Sequence, residues 1–304
     1  MECSRFGVVC LCYFLANSVA ALHAQEPAVN SLAIHSLKLD GTDLKIHVAD
    51  PKLSFGSVAV SPDGKLLAFD SWPASRFDQS KQFIHVCDLK GEQMRKVTLG
   101  AMPKWSPDGE LIAFHEYLKL KGSLIIEPSG KGRELVAEKK GSPTWLNGGK
   151  SVAMVDWGLT NVTIQDMVSG KRSALRKYAF HQINHGFCIS PDGKTICFTR
   201  GRFPNCRLCV ASIEGAARPQ VVSKGAICGG LNFHPDGKRI VFSQGSDSKQ
   251  AGGTLKPAQL FVLDITRNDD EPAKRVDGTD RDELCLNPCF SPDGIRIFFS
   301  STMR

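Results

Sequence analysis

The stretch "FSPDGIRIFF", residues 290–299, places a Ser-Pro-Asp-Gly turn between two apolar segments. Pro292 presets φ for the second turn position, Asp293 suits the third, and Gly294 takes a positive φ without steric cost. A turn of this kind between strand-forming residues predicts a β-hairpin. Because an isolated hairpin cannot bury both of its faces, the strands that complete its sheet must come from elsewhere in the sequence.

The same ten-residue phrase occurs five more times in the chain. The copies are "VSPDGKLLAF" (60–69), "WSPDGELIAF" (105–114), the degenerate "WLNGGKSVAM" (145–154), "ISPDGKTICF" (189–198) and "FHPDGKRIVF" (233–242). Successive copies, including the one at 290, begin 45, 40, 44, 44 and 57 residues apart. A period near 40–45 built from short strands indicates the four-stranded blades of a β-propeller. The sequence therefore predicts an all-β fold, a six-bladed β-propeller.

An outer hairpin follows the turn hairpin in the repeats, as in "FIHVCDLKGEQMRKVT" (83–98). The last repeat has only the inner hairpin, because few residues follow 299. Near the N-terminus, "AIHSLKLDGTDLKIHV" (33–48) aligns with 83–98 without a gap. We therefore expect these N-terminal strands to complete the last blade and close the ring, which removes the free edges of an open sheet.

The first 24 residues differ from the repeats. Arg5 precedes a run of apolar residues that ends in small residues before Gln25, which is the pattern of a secretory signal peptide. We expect a signal peptide over 1–24, a propeller over 25–304, and a periplasmic or secreted protein. A membrane anchor is the alternative reading of the leader. No later apolar run reaches the roughly 20 residues that span a bilayer, so no transmembrane segment is expected beyond it.

Composition limits the classes of partner. Charged residues make up 23% and hydrophobic residues 42% of the chain, as in soluble globular proteins, and the net charge is +7. No basic stripe with interleaved aromatic residues is present in the sequence, so nucleic acid is not an expected partner. The propeller is expected to be a monomer.

Eight cysteines lie beyond residue 24, and export would permit disulfides. Cys206 and Cys209 are three residues apart in an alternating strand, so they point to opposite faces and cannot share a ligand. Cys228 and Cys285 each precede the turn proline of their blade by seven residues, in adjacent blades. They are the candidate disulfide, with buried free thiols as the alternative.

Motifs that would carry catalysis are incomplete. "HQINH" (181–185) spaces two histidines as zinc proteases do, but Gln182 stands where the general-base Glu is needed. "DGTDRDE" (277–283) lacks the ligand spacing of a calcium loop. The G-x-S-x-G nucleophile motif does not occur in the sequence. The sequence therefore predicts no catalytic residue, no metal site and no cofactor.

The repeats resemble those of the TolB-type propeller family over about residues 31–304, with "WSPDGELIAF" as a close match. The resemblance implies a six-bladed periplasmic propeller that binds proteins or other ligands without catalysis. It covers the propeller only, without the α/β domain that precedes it in TolB. The implied function is an exported, non-catalytic scaffold of the cell envelope whose partner is an envelope protein or an anionic polysaccharide.

Two enzyme-linked alternatives remain. Oligogalacturonate lyases resemble the same repeat family and hold a metal through histidines at the propeller mouth. His181 and His185 fall at that mouth in this chain, so a metal-dependent polysaccharide lyase is the first alternative. The regulatory propeller of a prolyl-peptidase-like enzyme is the second. Fold alone does not separate these functions.

The topology separates two faces of the disc. The Pro-Asp-Gly turns lie on one side, which we name the turn face. The links that enter the first strand of each blade, and the loops that leave its second strand, lie on the other side, which we name the variable face. Its candidate binding residues are Trp72, Trp157, His181, His185, Arg200, Arg202, Asp280 and Asp282. Ordinary loop polarity is the alternative explanation for them.

Overall fold

The computed structural model describes residues 31–118, 122–156, 161–175, 183–202, 205–214, 218–245, 257–267 and 272–302. Within these ranges the chain forms six four-stranded antiparallel sheets, which are the blades of the predicted propeller. The described helical segments are two single 3₁₀ turns, Gln79–Lys81 and Asn147–Gly149. No described helix is long and apolar enough to cross a membrane.

The strands follow the repeats in chain order. Blade 6 takes its outer strands from the N-terminal part, β1 (Ala33–Lys38) and β2 (Lys45–Val48). Blade 1 contains β3 (Leu53–Val60), β4 (Leu66–Pro73), β5 (Phe83–Asp88) and β6 (Arg95–Leu99). Blade 2 contains β7 (Ala101–Trp105), β8 (Ile112–Glu116), β9 (Gly122–Ile126) and β10 (Glu134–Glu138). Blade 3 contains β11 (Lys140–Leu146), β12 (Ser151–Asp156), β13 (Val162–Asp166) and β14 (Arg172–Ala174).

The remaining blades repeat this order. Blade 4 contains β15 (Ile183–Ile189), β16 (Thr195–Arg202), β17 (Asn205–Ser212) and β18 (Gln220–Gly225). Blade 5 contains β19 (Ile227–Phe233), β20 (Arg239–Gly245), β21 (Ala258–Asp264) and β22 (Lys274–Arg275). The inner strands of blade 6 are β23 (Cys285–Phe290) and β24 (Arg296–Ser301).

The predicted closure of the ring is confirmed. Strand β1 pairs with β24 over six residue pairs, from Ala33 with Ser301 to Lys38 with Arg296. The Arg296 guanidinium also donates hydrogen bonds to Ser36 Oγ at 3.0 Å and to Asp43 Oδ2 at 2.6 Å. Strands from the two ends of the chain therefore form one sheet, as the alignment of 33–48 with 83–98 predicted.

The hydrophobic core consists of layers shared by neighbouring blades. Phe69 of blade 1, for example, packs with Phe298 of blade 6, whereas Ala68 faces Phe114 of blade 2. Neighbouring residues of β4 therefore point into the cores on opposite sides of the blade. The last residue of the repeated phrase is fully buried in each blade, which explains why it is large and apolar. These residues are Phe69, Phe114, Met154, Phe198, Phe242 and Phe299.

The turns of the turn face are held by their own side chains. In blade 1, Ser61 Oγ donates to Asp63 Oδ1 at 2.6 Å and accepts from the Leu66 amide at 2.9 Å. The bond from Ser61 is the main reason why the pKa of Asp63 lies below its ordinary value. Ser106, Ser190 and Ser291 repeat this pattern, so four of the six turns satisfy their polar groups internally.

The innermost strands contain an irregularity near their variable-face ends. Pairing with the second strand shifts at one place or more in every blade, as between Ala101 and Lys104 in blade 2. Met102, Ser142 and Asn287 have positive φ values there, and Gly230 occupies the same position in blade 5. These bulges redirect backbone amides, and the bulges of blades 1 and 2 hold the buried carboxylate described below.

The structure gives no support to the predicted disulfide. Cys285 is a buried free thiol whose Sγ lies 3.6 Å from Ser301 Oγ. Burial raises its pKa to about 12, so it is protonated at neutral pH. The side chain of Cys228 lies outside the described part of the chain.

Candidate binding face

Trp72 was expected to be an exposed anchor on the variable face, and this expectation is wrong. The side chain is buried, with 6% of its surface exposed, and packs with Leu32 and Leu284. Its ring meets that of Phe77 edge-to-face at 5.3 Å. The chain after β4 folds back over the indole, so Trp72 stabilises the propeller and presents no surface to a ligand.

Several predicted residues cannot be placed. Trp157 and His181 lie outside the described residues, as do the side chains of His185 and Arg202. Arg202 belongs by its backbone to β16, opposite Asn205 of β17. The proposed roles of these four residues stay predictions.

Asp280 and Asp282 are exposed, on a segment that other side chains hold in place. Gln259 Nε2 donates to the carbonyl oxygens of Asp280 at 2.8 Å and Glu283 at 3.0 Å. Thr279 donates to Gln259 Oε1 at 2.8 Å. The acidic stretch 277–283 is therefore a fixed link into blade 6, and its exposed aspartates are Asp277, Asp280 and Asp282.

Arg200 is the first residue of a row of cations across blade 4. It pairs directly with Arg207 on β17, and Arg207 pairs directly with Lys224 on β18. Residues directly opposite on antiparallel strands share a face of the sheet, so the three side chains point the same way. All three are exposed. We name Arg200, Arg207 and Lys224 the basic row.

The basic row faces the boundary between blades 3 and 4. Phe198, two residues before Arg200 on β16, packs into the core shared with Val155 and Val162 of blade 3. Because strand side chains alternate with period two, Arg200 points to the same side. Both arginines lower the pKa of the nearby Cys209 thiol, although burial has the larger effect and the pKa is raised overall.

The charges of the basic row are not neutralised within the described chain. No described carboxylate lies within 4.0 Å of the charged nitrogens of Arg200, Arg207 or Lys224. Like charges directly opposite each other on neighbouring strands destabilise a sheet. The basic row therefore destabilises the fold locally when no ligand is bound.

Corresponding positions in blades 1, 2, 5 and 6 are not basic where the described strands pair. They are Ser71, Phe83 and Leu99 in blade 1; Glu116, Gly122 and Glu138 in blade 2; Gln244 and Gln259 in blade 5; and Ser301 and Ala33 in blade 6. The pairing of β16 with β17 also continues for eight residue pairs, up to Arg202 with Asn205. This is the longest pairing of a second with a third strand in the described blades, and Arg200 and Arg207 lie near its variable-face end.

Asp70, at the variable-face end of β4, is a buried carboxylate that sequence reasoning missed. Its exposed fraction is 1%. Oδ2 accepts a hydrogen bond from the Met102 amide of blade 2 at 2.7 Å, and Oδ1 accepts one from the Ser57 amide at 3.2 Å. Burial raises its pKa from 3.8 to about 6, and these two bonds offset part of that effect. Asp70 joins blades 1 and 2 at a bulge.

Asp70 predicts a dependence of stability on pH. Because the pKa is higher in the folded chain, that chain binds more protons than the unfolded chain between about pH 4 and 6. Stability therefore falls as pH rises through this window and is constant above it as far as Asp70 is concerned. In Asp70→Asn this decline is absent. Denaturant titrations should show the variant gaining about 2 kcal/mol relative to the parent between pH 4 and pH 6.5. A difference that does not change with pH would contradict the assignment.

The described histidines near this face are buried and neutral. Burial lowers the pKa of His115 to about 4, and its ring lies 4.1 Å from that of Tyr117. Burial also lowers the pKa of His85. Within the described residues no group of three or more His, Cys, Asp or Glu side chains is arranged to hold a metal ion. The predicted pair of His181 and His185 lies outside this search.

Comparison with known proteins establishes the fold. A structure described as a putative TolB from Agrobacterium tumefaciens superposes with a TM-score of 0.68 at 18% identity, covering 89% of this chain and 97% of the other. The chain has the TolB-like propeller fold. An oligogalacturonate lyase in complex with manganese superposes with a TM-score of 0.54 at 11% identity, covering 90% of this chain and 97% of the lyase. At these identities the likeness concerns the fold alone.

Sequence comparison is less informative. No family model matches the chain. A Bacillus subtilis protein named as the uncharacterized peptidase YuxL is 28% identical over 168 residues, which is 53% of this chain and 24% of YuxL. The chain thus spans about a quarter of the length of that relative. These comparisons therefore establish the TolB-like propeller as the fold, but they do not establish a catalytic or binding role.

Proposed function

We propose that this chain is an exported, non-catalytic binding scaffold of the cell envelope. Its ligand, an envelope protein or an anionic polysaccharide, binds on the variable face. The protein acts in the periplasm or after secretion, and as a monomer. The leader over residues 1–24 is the basis for export.

The difference between the two faces carries this proposal. On the turn face, four turns satisfy their own hydrogen-bonding groups, and the serine-to-aspartate bond lowers the pKa of each aspartate. On the variable face, blade 4 presents three exposed cations side by side without a described carboxylate partner. Repulsion within the basic row destabilises the free protein. A bound ligand of opposite charge would relieve this repulsion, which favours binding.

The lyase alternative rests on the shared fold and on His181 and His185. It predicts cleavage of an acidic polysaccharide with formation of a carbon–carbon double bond, which absorbs ultraviolet light. The scaffold proposal predicts no such product. It also predicts that EDTA leaves ligand binding unchanged. An ultraviolet-absorbing product that EDTA abolishes would favour the lyase.

Capture from an envelope extract tests the scaffold proposal. The purified protein serves as bait alongside Arg200→Gln/Arg207→Gln. The matched control is Lys65→Gln/Lys194→Gln, which removes the same charge from two exposed lysines that follow Pro-Asp-Gly turns. We expect one set of ligands, identified by mass spectrometry and carbohydrate analysis, to be retained by parent and control and lost from the basic-row variant. Equal recovery on all three baits would exclude the basic row as the binding surface.

A further inference from the structure

We infer that Cys188 and Cys197 of blade 4 are a redox-active pair that closes to a disulfide in an oxidising compartment. The inference goes beyond the proposed binding function, because it concerns a covalent bond inside the blade. It is carried by the register of β15 and β16, in which the two residues lie directly opposite each other.

The two thiols point to the same side of the blade and contact each other. Residues directly opposite on antiparallel strands share a face of the sheet, and both thiols lie in the core that blade 4 shares with Leu231 and Phe233 of blade 5. Burial, and after it a hydrogen bond between the two thiols, raises the pKa of Cys197 well above its ordinary value. The fold therefore already brings the two sulfur atoms together.

The backbone spacing of the pair is compatible with a disulfide. Opposite residues of antiparallel strands have Cα atoms about 4.5 or 5.5 Å apart, and disulfides join Cα atoms about 4.4–6.8 Å apart. The Cβ atoms of opposite residues lie about 4.5–5.5 Å apart, compared with about 3.5–4.5 Å in a disulfide. Closing the bond therefore requires a local approach of the strands by at most about 1 Å, a strain that makes the bond easier to reduce.

No other two described cysteines lie opposite each other on paired strands. Cys209 also lies on blade 4, but it packs in the core toward blade 3, whereas Cys197 packs toward blade 5. Cys188 is therefore the partner that the fold offers to Cys197. The residues opposite the other described cysteines are Leu67 for Cys87, Gly201 for Cys206, Phe198 for Cys209, Ser301 for Cys285 and Phe298 for Cys289.

Packing alone does not require a thiol at either position. The corresponding pair in blade 1 is Ala59 and Ala68, and both alanines are buried. A blade can therefore close with a methyl group at each place, and blade 4 differs from the other five in having a thiol at both. The other pairs are Lys104 and Ala113 in blade 2, Thr144 and Ala153 in blade 3, Asn232 and Val241 in blade 5, and Cys289 and Phe298 in blade 6.

The reaction is an exchange with an external disulfide, such as oxidised glutathione or the disulfide of an oxidoreductase. The thiolate of one cysteine attacks a sulfur of that disulfide, breaks its S–S bond and releases one thiol. The second cysteine then attacks the mixed disulfide and releases the second thiol. The pair loses two electrons, the oxidant gains them, and the two cysteine protons end on the released thiols.

Burial limits when this exchange can take place. Cys197 has no exposed surface and Cys188 has 6%, so the oxidant reaches them during folding or through local opening of the hairpin. The proposed export would supply the oxidising compartment, because cytosolic thiols are kept reduced.

Peptide mapping tests the inference directly, because trypsin cuts between the two cysteines at Lys194. The purified protein is equilibrated with oxidised glutathione, in urea just below the unfolding transition to allow local opening, and the remaining thiols are alkylated in denaturant. We expect peptides 178–194 and 195–200 to be linked and to separate on reduction, and Cys285 to be recovered alkylated. Recovery of Cys188 and Cys197 as alkylated thiols, or linkage of either to another cysteine, would overturn the inference.

The melting temperature provides a second readout. Because the bond closes a loop of about ten residues, the oxidised protein should melt about 3–8 °C higher than the protein in dithiothreitol. Cys188→Ala should abolish this difference, and it should fold, because alanine takes the same position in blade 1. Cys285→Ala, which also removes a buried thiol, is the matched control and should keep the difference. A difference that persists in Cys188→Ala would place the responsible thiols elsewhere and overturn the assignment.

Protein taken from its native cells, with thiols blocked at lysis, tests export separately. Linked peptides 178–194 and 195–200 are the result expected for an exported protein. Free thiols in the cells, together with a bond that forms in glutathione, would contradict the proposed export and leave the assignment of the pair intact.

Discussion

A chain that begins at Pro51, and so lacks β1 and β2, is expected to melt at a temperature lower by about 10 °C or more, or to aggregate, compared with a chain that begins at Gln25. The deletion removes the fully buried side chains of Ile34 and Leu37 and exposes the edge of β24. Burial of each such side chain contributes about 1.5–3 kcal/mol. The lost strand pairing brings the total to at least about 5 kcal/mol, which corresponds to a shift of this size in a protein of this length.

The two chains should be compared by calorimetry and by size-exclusion chromatography. A third chain that begins at Leu32 is the control, because it removes residues before β1 and keeps both strands. It should melt with the chain that begins at Gln25. Equal melting temperatures for the Pro51 and Gln25 chains would show that ring closure contributes nothing to stability.

Trp72→Ala is expected to destabilise the propeller by about 3–5 kcal/mol, the usual range for removing a buried tryptophan. The indole packs with Phe77 and with residues of blades 5 and 6, so its loss opens a cavity at the contact between blades. A Cβ on Gly56 would collide with this ring and with Asp70, so the surrounding chain has little room to rearrange.

Val168→Ala is the matched control for Trp72→Ala. Val168 is also a hydrophobic residue, but it is 88% exposed in the turn after β13, and its truncation should change stability by less than about 0.5 kcal/mol. Urea titrations of the two variants provide the free energies of unfolding. A stable Trp72→Ala variant that has lost only ligand binding would restore the earlier interpretation of Trp72 as an exposed anchor.

Local turn chemistry and its period were sufficient to predict the fold. The Ser-Pro-Asp-Gly turn specifies a hairpin by itself, and six copies at blade spacing leave few other architectures. Closure was also predictable, because 33–48 repeats the apolar pattern of an outer hairpin. Even the degenerate copy at 145–154 forms the expected pair of strands, β11 and β12.

The candidate site was only partly predictable, because it depends on contacts between strands and between blades. Arg200 was identified from its loop position, but its partners Arg207 and Lys224 required the register of β16, β17 and β18. Aligning the outer hairpins of successive repeats could have found them. Asp70 was missed because its environment includes an amide of the next blade. Trp72 was misjudged because the chain that follows it folds back over the indole.

Hydrogen–deuterium exchange of the protein with and without its captured envelope ligand tests the central claim most directly. We expect protection in peptides from β16, β17 and β18 around Arg200, Arg207 and Lys224. The turn peptides 61–66, 106–111 and 291–296 should exchange equally in both states. Protection of those turns, with no change in blade 4, would place the ligand on the turn face and contradict the account.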